Sequence, residues 1–157
     1  MKVPTIAAGG LAASAMLTIG VMVGGGFGSA AAIPGDYSTL PVDPNQATDS
    51  LAYVAGQPIL NPNGQPGVTN TYTHRDGTRQ ITNTIVILPD APSATAALNG
   101  SQADVAGKVS NGMSQPAAVG NGGTMVSGTS PDGSKSVTVL TFAEGNAATT
   151  IEFDGPP

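Results

Sequence analysis

The chain reads as an α+β domain: an antiparallel sheet of about five strands, ordered β-β-α-β-β-β, with one helix packed on one face. Three observations predict this. Two β-branched runs, "VTNTYT" and "RQITNTIVIL", flank "HRDG", and Asp-Gly between alternating apolar runs is a strong hairpin signal. The apolar period then lengthens across "LPDAPSATAALNGSQADVAGKVSNG", as one face of a helix requires. Finally, "TMVSGT", "KSVTVLTF" and "AATTIEF" are parted only by the turn clusters "SPDG" and "EGN". Those connections are too short for crossover helices, so the three runs form an antiparallel meander.

In chain order, the first element is a targeting segment. Lys2 precedes an uncharged stretch that ends in small residues around Ser29 to Ala32, and Asp36 is the first acid. This pattern predicts a signal peptide over residues 1–32, cleaved near Ala32 or Ile33; the length of the apolar run leaves an uncleaved anchor as the alternative. Residues 33–67 hold six prolines, at 34, 41, 44, 58, 62 and 66, which prevent a long helix. "DPNQATDSLAYVAG" fits a short helix ended by Gly56. The segment is expected as an irregular arm laid along the domain, because Tyr53, Ile59 and Leu60 gain from burial; a flexible linker is the alternative.

The small domain follows from residue 68. Gly77 supplies the positive φ of the first hairpin and Asp76 tolerates the turn. Asp90 is a natural N-cap and Pro92 suits a first helical turn. Ala94, Leu98, Val105 and Val109 line one helical face up to a stop at Gly112. Gly100 and Gly107 each cost about 1 kcal/mol relative to Ala, so this helix depends on packing. Along the strands, Ile81, Ile85 and Ile87 share a face, as do Val137 and Val139, and Ile151 and Phe153. One sheet face is therefore expected to be apolar enough to receive the helix.

Composition excludes several functions. Lys+Arg is 5 against Asp+Glu 10, a net charge of -5, so nothing favours nucleic acid or an anionic membrane surface. There is no cysteine, hence no disulfide, thiolate metal site, cysteine nucleophile or lipid-attachment cysteine. One histidine with scattered carboxylates makes no recognisable ligand spacing, so neither a metal nor a cofactor is expected. "HRD" lacks the downstream Asn and phosphate loop of a kinase, and no G-x-S-x-G elbow accompanies His74. "GNGG" precedes a strand rather than a helix, which makes it a turn rather than a phosphate cradle. The expectation is therefore a protein that is not an enzyme.

The run "IVILPDAPSATAAL", followed by "PAAVGNGGTMVSGTSPDGSKSVTVLTFAEGNAATTIEF", resembles exported proteins and lipoproteins of mycobacteria and related actinobacteria that carry a small Mog1/PsbP-like domain. The shared features are the Asp-Ala start of an alanine-rich helix, the "VGNGG" turn and the Gly-Asn turn into the last strand. The resemblance covers about residues 67 to 155. It implies an extracellular or cell-envelope location and a binding role, with no shared catalytic motif.

Two functions remain. The first is a secreted interaction module for an unknown protein or envelope component, with no stable membrane anchor once the signal is cleaved. Its candidate surface is His74, Arg75, Asp76 and Arg79, since two guanidiniums on an acidic protein form a local anion-seeking spot. The second is a carrier of a small lipid-like ligand, using an apolar cleft at Leu88, Leu140 and Phe142 between sheet, helix and arm.

Overall fold

The computed structural model describes residues 36–157; the expected signal segment lies outside the described residues. Its α+β architecture is built on one antiparallel sheet of eight strands: β1 (Tyr53–Ala55), β2 (Ile59–Leu60), β3 (Gly67–His74), β4 (Gln80–Ile87), β5 (Ser110–Ala117), β6 (Gly123–Thr129), β7 (Ser136–Glu144) and β8 (Ala147–Gly155). The spatial order is β1-β3-β4-β8-β7-β6-β5, and β2 also pairs with β3. The last strand thus enters the middle of the sheet, and β3–β4 and β6–β7 become hairpins on either side of it.

All five expected strands are present, as β3, β4, β6, β7 and β8. Three more correct the expected count of about five. β1 and β2 come from the proline-rich segment, where short extended pieces between prolines satisfy the outer edge of β3. β5 begins with residues 110–112, which periodicity assigns to the end of the helix. Asn111 adopts a left-handed φ of 54°, and the register shifts between Ser110 and Met113. Gly107, Ser110, Asn111 and Gly112 are poor helix formers, whereas the open edge of β6 offers backbone partners to an extended chain.

The single expected helix is two, α2 (Ala91–Gly100) and α3 (Gln102–Lys108), preceded in the chain by the one-turn α1 (Pro44–Thr48). Asp90 caps α2 as expected, its carboxylate accepting from Ser93 N at 2.8 Å. The break falls at Ser101, whose N–H reaches the Ala97, Leu98 and Asn99 carbonyls and whose hydroxyl donates to Leu98 O at 2.7 Å. Asn99-Gly100-Ser101 combines low helix propensity with a side chain that competes for the backbone.

Both faces of the sheet are apolar, and the valines rather than the isoleucines receive the helices. Register places Ile81 opposite Phe153, Ile85 opposite Thr149, and Leu140 opposite Ile151. Together with Val68 and Tyr72 these form a core completed by Leu40 and flanked by Tyr37 and Val42. The segment before β1 therefore covers this face. On the opposite face Val137 and Val139 meet Val105 and Val109, while Ala143 and Ala148 meet Ala94. Small residues let α2 approach β7 and β8 closely. The helices thus cover the valine face, and the isoleucine face belongs to the arm.

Candidate functional site

The hairpin tip is built first by its aspartate. Asp76 Oδ1 accepts from Thr78 N at 2.8 Å and from Thr78 Oγ1 at 2.6 Å, and Gly77 sits at φ 74°. Hydrogen bonds from the Thr78 hydroxyl and amide, aided by His74, pull its carboxyl down to about 2. The β6–β7 tip repeats the device: Asp132 accepts from Ser134 N and Ser134 Oγ at 3.0 and 2.7 Å, and Gly133 sits at φ 71°. Asp-Gly-Thr and Asp-Gly-Ser are two copies of one turn. Asp76 is a turn brace.

The other three candidates separate. His74 Nδ1 lies 2.7 Å from Asp76 Oδ1, and its ring meets Tyr53 edge-on at 5.2 Å. That aromatic geometry holds the Tyr53 ring in place. Arg75 turns back to the arm, with Nε donating to Leu51 O and its amide donating to Ala52 O at 2.8 Å. It pins the chain entering β1 to the tip. Arg79 lies on the other side of the hairpin and, among the described residues, makes no ion pair or side-chain hydrogen bond.

Arg79 borders a hollow of about 410 Å³ whose lining includes Tyr53, Ile81, Ser136, Thr138 and Phe153. The arginine stem runs over Gly155, where an added Cβ would stand 3.3 Å from Arg79 Cγ. Asp154 also reaches this rim, but Lys135 Nζ holds it at 2.9 Å. Sequence reasoning reached Arg79 and missed the walls. Tyr53, Thr138 and Phe153 belong to three different strands, and strand alternation alone does not make them neighbours. The signal that existed was parity: Ile81 and Phe153 sit on like-facing positions of paired strands.

The proposed apolar cleft is not assembled as expected. Phe142 is fully buried in the arm-side core and Leu140 packs against the same cluster. Leu88, just past the end of β4, packs on the helix side with Ala94 and Ala148. The sheet itself lies between them.

A second hollow, about 500 Å³, opens on the helix side between α3 and the β6–β7 tip. Its lysines are engaged, Lys108 by Glu152 and Lys135 by Asp154. No group of three His, Asp or Glu residues is arranged to hold a metal among the described residues. Comparison with protein-family models, with curated proteins and with solved structures yields no match.

Proposed function

We propose that this chain is an exported, non-enzymatic recognition module of the cell envelope or extracellular medium, which engages a partner through the Arg79 side of its first hairpin. The observation that carries this reading is the division of labour at the tip. His74 and Asp76 brace the turn and Arg75 pins the arm, which leaves one guanidinium facing a half-apolar hollow without an anion of its own. An unpaired arginine beside aromatic surface is a common anchor for acidic groups. The resemblance of residues 67 to 155 to exported actinobacterial domains supports the location, and the small-residue boundary near Ala32 supports export.

The test is capture of partners from the host's envelope and medium with wild-type protein, Arg79→Ala and Arg75→Ala. Loss of capture in Arg79→Ala, with its fold intact, supports the module. Undiminished capture by Arg79→Ala rejects it. Mass spectrometry of the protein from its own host reads the N-terminus: a mass starting near residue 32 supports export, and an intact Met1 rejects cleavage.

A further inference from the structure

We infer that the Arg79 hollow is a binding site for a small amphiphilic carboxylate, one carboxylate on a flat aromatic or short acyl body. The inference rests on the reading of Arg79 as the contact residue and adds the chemistry of what it contacts. A volume of about 410 Å³ falls in the range of about 300–1,000 Å³ typical of small-molecule sites. The lining divides in the way such a ligand requires. Tyr53, Ile81 and Phe153 supply apolar lining, Ser136 and Thr138 supply hydroxyls, and Arg79 supplies the charge.

The charge pattern selects the anion. Among the described lining residues Arg79 is the only cationic side chain, and the one acidic side chain there, Asp154, is paired with Lys135 at 2.9 Å. The guanidinium itself makes no ion pair among the described residues. A single planar fork matches a carboxylate with two parallel hydrogen bonds. A phosphate dianion asks for more: several amide donors, a helix N-terminus or a second cation. The described lining residues come from strands, from the β3–β4 turn at Arg79 and from the Pro156-Pro157 end, and none of them belongs to a helix. Gly155 matters here because its missing side chain lets the arginine stem lie flat along the rim.

Isotopically labelled protein, purified as its host processes it, would be titrated with 2-naphthoate, with the neutral 2-naphthamide and with phenyl phosphate, and followed by amide chemical shifts. Naphthoate is expected to move the Ile81, Thr138, Phe153 and Gly155 amides. The neutral amide should bind about ten-fold weaker or worse, since a hydrogen bond to a charged group is worth about that factor or more. Arg79→Gln, at an exposed position, should lose the same factor while keeping the folded spectrum, and Lys108→Gln, on the helix side of the sheet, should bind as wild type. Shifts outside the hollow, equal binding of the amide, tighter binding of phenyl phosphate, or an unaffected Arg79→Gln would each overturn the inference. The parent reading fails separately. If naphthoate does not bind but partner capture still depends on Arg79, only the carboxylate site falls; if naphthoate binds through Arg79 and capture ignores it, only the module falls.

Discussion

Two aspartates at the hairpin tips show how a charged residue that invites a functional reading can be spent on geometry. Asp76 and Asp132 are each held at about 2 by hydroxyl and amide donors two residues away. Both folded-state values lie below the ordinary value of 3.8, so the carboxylates favour the folded state above about pH 4, and that contribution disappears as pH falls through about 2. Melting temperatures between pH 5 and pH 2 are expected to fall more steeply for wild type than for Asp76→Asn/Asp132→Asn. Parallel curves would show that the turns hold without ionised carboxylates. Asn146 plays a comparable role in the interior. It is 4% exposed, and its Nδ2 donates to Leu88 O at 2.8 Å while Leu88 N donates to Asn146 O at 2.8 Å. Asn146→Ala should cost about 1–3 kcal/mol in urea unfolding, because it leaves a carbonyl without its donor.

Among the elements, the β5 edge is where local preference and tertiary demand part. Its eight residues carry no charge, and all but its two end residues are exposed, with Met113 79% exposed. A bulge and Pro116 protect it from pairing with other chains. Its attachment relies on close backbone approach at Gly128, where a Cβ would stand 2.4 Å from Ser110 O and 2.7 Å from Val109 Cγ1. Gly128→Val is therefore expected to destabilise by about 1–3 kcal/mol. Amide exchange should accelerate in β5 first and leave β3 and β4 protected; uniform acceleration would mean that β5 is not a separable edge. Periodicity alone carried the helix on to a stop at Gly112, into the first residues of β5, because Val105 and Val109 keep helical spacing up to the turn where the chain leaves.

At the level of the whole molecule, the sheet has an apolar layer on each side, and the segment before β1 packs on one of them. Leu40 is 4% exposed and sits in the cluster with Val68, Tyr72 and Phe142, whereas Leu51 is 78% exposed. Leu40→Ala is expected to cost about 2–5 kcal/mol, and Leu51→Ala to stay within about 0.5 kcal/mol, both by urea denaturation. Similar small effects would mean that residues 36–48 do not hold the sheet. Asn45 strengthens the attachment by clasping Tyr53: Nδ2 donates to Tyr53 O and Tyr53 N donates to Oδ1, each at 2.9 Å. The same clasp positions a wall of the Arg79 hollow, so the arm and the candidate site share a support.

The sequence by itself determined the turns, the five main strands, the N-cap at Asp90 and the α+β class. Each rests on neighbours within a few residues: a glycine able to take positive φ, a carboxylate two positions from its amide, an alternation readable along one strand. Tertiary structure decided everything that joins distant strands. It placed β8 between β4 and β7, converted the end of the helix into an edge strand, gave the isoleucine face to the arm, and brought Tyr53, Thr138 and Phe153 beside Arg79. The physical reason is that alternation tells which residues share a face of one strand, while the order of strands is set by how two apolar faces are covered at once.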